Sequence, residues 1–202
     1  MNKRSAFYVL LAAVLLIVIL KTSVMGERNE KKSALLEEGA IETIMGRKSV
    51  RKYLNKPVEE EKITTLLKAG MAAPSGKDTR PWAFVVVTKR AALDSMAAGL
   101  PYAKMLIQAP LAIVVCGDPS VSSYWYLDCS AATQNILLAA EALELGAVWT
   151  AAYPYEDRMD VVRRYSQLPE NLVPLCVIPI GYPDGPQKVK DKYDPNKISR
   201  VE

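Results

Sequence analysis

Three side chains that could bind a phosphate group lie two residues apart in the first quarter of the chain. In the stretch RKSVRKY, residues 47–53, Arg47, Ser49 and Arg51 occupy alternate positions. An extended backbone points alternate side chains to one side. Two guanidiniums and a hydroxyl there would match phosphate oxygens, because arginine carries forked N–H donors. The alternative is a solvated cluster of cations that only complements the dipole at a helix end.

The stretch PSGKDTRPW, residues 74–82, contains a second set of polar side chains. It places Asp78 and Arg80 between a helical pattern and an apolar β-like run. A carboxylate only accepts hydrogen bonds and a guanidinium only donates them, so the two could face different atoms of a flat polar ligand. Alternatively, they form an ion pair that shapes the loop and contributes little energy.

Histidine is absent from the chain, which limits the chemistry that side chains can perform. Ser-His-Asp and Cys-His catalysis are excluded, and no metal site is predicted. Cys116, Cys129 and Cys176 have no C-x-x-C spacing and are expected to be buried, inert thiols; a disulfide is the less favoured alternative. The chemistry is therefore expected from a cofactor or from carboxylates.

The hydropathy pattern predicts the elements that must position these groups. Two helices are predicted first, one around residues 35–44 and one that starts after Pro57. The later elements are predicted in this order: a strand at 82–88, a helix at 91–98, a strand at 111–116, a long helix at 127–145, a strand at 147–152, a helix at 157–165 and a strand at 173–180. Four strands with interspersed helices indicate an α/β or α+β fold.

The long helix at 127–145 is rich in alanine and other small residues, so most of its circumference is apolar. Such a helix is expected to be buried nearly all round. It is either the central helix of the core or a helix packed against a second subunit, and the two interpretations are compatible.

Length and charge narrow the class of protein. With 202 residues, half of them hydrophobic, the chain can bury one substantial core. The formal charge of +4 is small, and the cations are scattered rather than gathered in a stripe with aromatic residues. Binding to nucleic acid is therefore not predicted.

Residues 1–25 differ from the rest of the chain. A basic start precedes a mostly aliphatic run at 6–20, which is shorter than the roughly 20 residues that span a bilayer comfortably. A membrane anchor is slightly favoured over a cleaved signal peptide, and basic residues on both flanks leave the side of the membrane open. Residues 26–33 are expected to be a linker and 34–202 the globular domain, so the protein is expected to be membrane-anchored or exported.

Four motifs occur in an order and spacing that resemble one family. They are RKSVRKY, APSGKDTRPW, LDCSAATQNILLAAEALELGAVW and PIGYPDGPQKVKDKYDP. By these motifs the chain resembles the FMN-dependent nitroreductase family over roughly residues 38–195. The resemblance, which omits the hydrophobic N-terminus, implies an α+β fold with a central mixed sheet flanked by helices, and a homodimer with FMN in each interface cleft. The predicted fold class adds an N-terminal hydrophobic helix to this domain.

The resemblance also assigns individual residues to FMN. The phosphate is assigned to Arg47, Lys48, Ser49 and Arg51, completed by Lys190 and Lys192. The flavin ring is assigned to Pro74, Ser75 and Gly76 of the partner subunit, to a backbone N–H of Ala151 or Ala152 near N5, and to Lys104 near the N1/O2 edge. Asp78 and Arg80 stand where many relatives have Asn and Gln, and they are included as candidates.

The activity that this resemblance implies is ping-pong hydride transfer. NAD(P)H would reduce FMN, and a nitroaromatic, quinone-like or related acceptor would then enter the same cleft. The cofactor would carry the chemistry, which agrees with the missing histidines. Lys104 or Arg80 could stabilise the anionic reduced flavin. The alternative is a membrane-tethered flavin- or ligand-binding module without turnover.

Overall fold

The computed structural model describes residues 39–201. The chain divides into two compact units, residues 1–44 and 45–202. Of the first, only residues 39–44 are described, and they are helical. The following description concerns the second unit.

Helices and strands alternate along most of the described chain. The helices are α1 (described from residue 39 to 46), α2 (Glu60–Met71), α3 (Arg90–Gly99), α4 (Trp125–Ala142) and α5 (Glu156–Ser166). The strands are β1 (Trp82–Val87), β2 (Leu111–Gly117), β3 (Gly146–Ala147), β4 (Thr150–Ala151) and β5 (Val173–Gly181). The predicted α+β class is confirmed, and the elements follow the predicted order.

The five strands form one sheet in the order β1-β2-β5-β3, with β4 also paired to β5. Every pairing between these strands is antiparallel, so the prediction of a mixed sheet is wrong. A parallel pairing occurs only as an isolated bridge between Ser49 and Ala147 in the described residues. The alternation of helices and strands does not set strand direction, which depends on the edge of the sheet where each connection returns.

The strand predicted at residues 147–152 is divided into β3 and β4. Ala147 pairs with Ile180, and Thr150 pairs with Val177. Pro179 lies opposite the gap and has no N–H to donate, so the ladder is interrupted. The interruption leaves Val148 and Trp149 between two short strands.

Helices cover both faces of the sheet because its side chains alternate between two cores. Ile113 and Val115 of β2 belong to the cluster that includes residues of α2 and α4. Ala112 and Val114 belong to the cluster that includes residues of α3 and α5. The result is a three-layer arrangement whose central strand β2 is buried along its whole length.

The three cysteines lie in the core as free thiols. Burial raises the pKa of Cys116 and of Cys176 to about 12, and it also raises the pKa of Cys129. Because the thiolate is the reactive form, we expect iodoacetamide at pH 8 to leave all three unmodified in the folded protein. Mass spectrometry should find all three modified in urea. Equal rates in the folded and the denatured protein would contradict this expectation.

The segment predicted to enter a membrane, residues 1–25, and the linker 26–33 lie outside the described residues. Between residues 39 and 201, no helix is long and apolar enough to cross a membrane. The expectation of a transmembrane helix, and of a membrane-anchored or exported protein, is therefore wrong for the part of the chain that the structure describes.

Candidate functional site

The two basic clusters of the sequence meet at one cavity of about 190 Å³. One side is formed by the segment after α1 and the other by the segment after β5. Its lining consists of Arg47, Lys48, Ser49, Arg51, Lys188, Lys190 and Lys192. We call it the basic cavity. Lys188 also belongs to it; in the sequence it forms one basic group with Lys190 and Lys192, although the family resemblance did not assign it to FMN.

Backbone pairing explains why these segments converge. Val50 donates its N–H to the Ala147 carbonyl at 3.0 Å, next to the bridge between Ser49 and Ala147. On the other side, the N–H of Asp184 donates to the Lys52 carbonyl at 3.0 Å. Residues 49–54 are thus held as an extended segment between β3 and the turn after β5. In an extended segment alternate side chains share one side, which places Ser49 and Arg51 together; the role of these residues stays a prediction.

Lys48 already forms an ion pair within the protein. Its ammonium lies 2.5 Å from a carboxylate oxygen of Glu141 in α4, and both side chains are largely buried. In the described chain, no ion pair involves Arg47, Arg51 or the three lysines after β5. The basic cavity therefore offers cations that have no carboxylate partner.

A second cavity, of about 460 Å³, adjoins the basic cavity at Arg51, which lines both. We call it the larger cavity. Its other lining residues are Pro101, Tyr102, Lys104, Met105, Val148, Trp149 and Thr150. Its volume is within the range of small-molecule sites, which are mostly apolar with a few polar groups. Trp149 and Met105 supply the flat and flexible apolar surface that suits a ring system.

Lys104 lines the larger cavity with its side chain, but its ammonium is bound elsewhere. It donates to the carbonyls of Ala97 at 2.8 Å and Ala98 at 3.1 Å, at the C-terminal end of α3. A cation there satisfies free carbonyls and complements the helix dipole. To stabilise charge on a bound ring, Lys104 would have to leave these carbonyls.

Ala151 and Ala152 follow directly on the lining residue Thr150. Ala151 is exposed in β4, whereas Ala152 is buried. The Ala152 N–H donates to the Leu175 carbonyl at 2.9 Å. The N–H of Ala152 is therefore engaged in the sheet, and the predicted contact with a ring nitrogen stays a prediction for Ala151.

The loop of residues 74–80 lies outside the linings of both cavities. In it, Arg80 donates to Asp78 through Nε at 2.8 Å and through Nη2 at 2.6 Å, and this bonding lowers the pKa of the Asp78 carboxyl. Lys77, Asp78 and Arg80 all have positive φ angles, of 54°, 56° and 49°. Such backbone is costly for residues other than glycine. Of the two interpretations of Asp78 and Arg80, the structure therefore shows the ion pair that shapes the loop.

Buried Asp128 in the first turn of α4 holds this loop in place. It accepts from the Gly76 N–H at 2.9 Å and from the Ser122 hydroxyl at 3.1 Å. Asp128→Ala is expected to lower the free energy of unfolding by about 1–3 kcal/mol, because it removes a charged acceptor from both donors. Asp128→Asn keeps an oxygen acceptor and should lose less than half as much. Urea unfolding of both variants checks this; equal losses would contradict it.

Comparisons with known proteins show which family and fold the chain is similar to. A family model described as the nitroreductase family matches residues 44–101 and 96–182. A crystal structure from Bacteroides thetaiotaomicron, provisionally named an NADH dehydrogenase/NAD(P)H nitroreductase, is 70% identical, with a TM-score of 0.79 and coverage of 80% of this chain and 96% of that chain. A relative from Methanothermobacter thermautotrophicus with the same provisional name is 47% identical over 161 residues, 78% of this chain and 84% of the relative.

A further solved structure names a cofactor. It is an FMN-dependent nitroreductase from Clostridium difficile, 31% identical, with a TM-score of 0.75. The match covers 79% of this chain and 98% of that chain. Near-complete coverage of the solved structures means that the likeness extends over a whole domain of this fold.

Proposed function

The chain belongs to the nitroreductase family, and from this membership we propose that it reduces nitroaromatic, quinone-like or related acceptors with electrons from NAD(P)H. The predicted family is confirmed, and so are the enzyme class and FMN as the cofactor, because the relatives are named NAD(P)H nitroreductases and FMN-dependent. FMN supplies the capacity to accept a hydride equivalent from one partner and to pass it to another. The two half-reactions would use the same cleft in turn.

The convergence of two distant basic clusters carries this proposal. Six cations and the Ser49 hydroxyl line the basic cavity, and no carboxylate is among its lining residues in the described chain. This donor set fits the dianionic phosphate of FMN, which takes several N–H donors at once. Arg47 and Arg51 would hold the phosphate with forked donors, and Lys188, Lys190 and Lys192 would neutralise its charge.

The larger cavity would then receive the flavin ring. It begins at Arg51, so a group anchored in the basic cavity can extend into it. Trp149, Val148 and Met105 would exclude water from one part of the ring, and Thr150 would direct the ring toward Ala151. These residues would bind and orient the flavin ring. None of them has to transfer a proton, which fits a chain without histidine.

We propose that the protein is a homodimer and that Pro74, Ser75 and Gly76 reach the ring of the partner's flavin. The loop of residues 74–80 is ordered by Asp128 but faces neither cavity of its own chain. Nearby, α4 exposes 53% of Leu127, contrary to the expectation of a helix buried all round. Tyr124 and Tyr126 beside it are 57% and 38% exposed, and this run of exposed apolar side chains supports packing against a second subunit.

An absorbance experiment on the purified full-length protein tests the activity. Flavin bands at about 375 and 450 nm should bleach under anaerobic NADPH or NADH, and a nitroaromatic or a quinone should restore them. A yellow protein that neither reductant bleaches would support the alternative, a flavin-binding module without turnover, which the names of the relatives do not favour. A colourless protein that does not take up added FMN would contradict the proposal.

A further inference from the structure

Arg158 has an unusual environment in the first turn of α5. Its guanidinium carbon lies 3.7 Å from the ring centre of Tyr155 and 5.2 Å from that of Tyr102. Its Nε is buried and has no hydrogen-bond partner, the one such side-chain atom found between residues 39 and 201. No ion pair involves this arginine in that range. The side chain is thus held by two aromatic rings, and no carboxylate between residues 39 and 201 neutralises its charge.

The position of this cation in the helix is electrostatically unfavourable. The N-terminal turn of a helix carries partial positive charge and prefers carboxylates. Glu156 and Asp157 in the same turn follow that preference, yet neither forms an ion pair with Arg158. The guanidinium is therefore left without a carboxylate partner among the described residues, at the positive end of the helix. An anion at the guanidinium would relieve the unfavourable placement of this charge.

Tyr102 connects this arginine to the proposed site. Tyr102 lines the larger cavity together with Trp149 and Thr150. Arg158 therefore contacts one lining residue of the cavity, Tyr102, and is not itself among the lining residues. The two rings are 71% (Tyr102) and 48% (Tyr155) exposed, so they present flat apolar surface to a ligand entering from solvent.

We propose that Arg158, with Tyr102 and Tyr155, selects acceptors that carry a carboxylate on an aromatic ring. The planar fork of arginine matches a carboxylate in a bidentate way, and the tyrosine rings hold the fork in one orientation. A single guanidinium matches one negative charge, whereas the basic cavity gathers six cations. This inference rests on the proposed function, because it names the acceptor class for that site.

Binding of benzoate and of neutral benzamide to the FMN-loaded protein, measured by calorimetry, tests the inference without turnover. FMN occupies the basic cavity in this experiment, so its cations cannot bind the carboxylate. Arg158→Gln is expected to raise the dissociation constant of benzoate about tenfold or more and that of benzamide less than twofold. Arg164→Gln is the matched control, since Arg164 is an exposed arginine of the same helix, and it should change neither constant.

Kinetics with 4-nitrobenzoate and 4-nitrobenzamide give the second measurement. Arg158→Gln should lower kcat/KM for the carboxylate about tenfold, mainly through KM, and leave the amide within twofold; Arg158→Lys should recover only part of the loss, because lysine lacks the fork. Equal losses for both acceptors, or a wild-type protein that binds benzoate no better than benzamide, would overturn the inference. A loss confined to NADPH, with NADH unaffected, would assign Arg158 to the reductant's extra phosphate and also overturn it.

The wild-type protein separates this inference from the proposed function. If it takes up FMN and reduces 4-nitrobenzamide but shows no preference for the carboxylate, only the role of Arg158 fails. If it neither takes up FMN nor reduces the amide, both fail.

Discussion

Replacing Arg51 by alanine is expected to weaken FMN binding about a hundredfold. Arg51 lines both the basic cavity and the larger cavity, so it borders the phosphate and the ring of the proposed ligand. A bidentate guanidinium makes two charge-assisted hydrogen bonds to a phosphate, each worth about 1.5–3 kcal/mol at most. Some of this is recovered by the four other cations of the basic cavity that have no carboxylate partner in the described chain, which leaves a loss of about 3 kcal/mol, or roughly a hundredfold.

Quenching of flavin fluorescence on titration into apo-protein would measure this loss. Arg164→Ala is the matched control, because it removes one positive charge from an exposed arginine of α5 and should leave the affinity for FMN unchanged. Thermal unfolding without FMN should give the same Tm for both variants and the wild type, since neither arginine is in an ion pair within residues 39–201. An Arg51→Ala protein with wild-type affinity would show that the phosphate lies elsewhere.

A methyl group at residue 146 is expected to destabilise the fold and the phosphate site together. A Cβ on Gly146 would lie 2.5 Å from Val50 Cγ1 and 2.7 Å from Val50 Cβ, closer than real side chains approach. Val50 is 1% exposed and cannot move aside without displacing its neighbours Ser49 and Arg51. Gly146→Ala should therefore lower the free energy of unfolding by about 3 kcal/mol, at the upper end for overpacking, and weaken FMN binding.

Shortening Val50 should relieve the clash. In the double variant Gly146→Ala/Val50→Ala, urea unfolding should show a favourable coupling free energy of at least about 1 kcal/mol between the two sites. Gly46→Ala is the control, because the nearest atom to its Cβ would be Glu141 Oε1 at an ordinary 3.8 Å. Additive effects of the two substitutions would mean that the cost at residue 146 has another origin.

The identity of the candidate phosphate residues could be read from the sequence because it depends on short-range spacing. Arg47, Ser49 and Arg51 share a side in any extended segment. That the segment is extended is decided by its pairing with Ala147 and Asp184, which come from distant parts of the chain. Spacing alone favoured a solvated helix end over a phosphate site, whereas the long-range hydrogen bonds show that residues 49–54 are extended.

Whether a charged side chain is free to contact a ligand could not be predicted from the sequence in the same way. The sequence identifies Lys48 and Lys104 as cations, but the structure binds Lys48 to Glu141 and Lys104 to the carbonyls of α3. Similarly, Asp78 and Arg80 bind each other. Whether a side chain faces a ligand depends on which partner its fold brings within about 3 Å, and that partner has no fixed sequence distance.

By itself, the sequence determined the order of helices and strands, the absence of histidine chemistry and the family, because periodicity, composition and local motifs are properties of short segments. Only the tertiary structure decided the antiparallel direction of the strands, the break at Pro179 and the meeting of the two basic clusters. The same holds for Arg158, whose two aromatic neighbours were visible in the sequence but whose unpaired charge was not. These features depend on which distant segments share space, and that is fixed by burial of the whole core rather than by any local pattern.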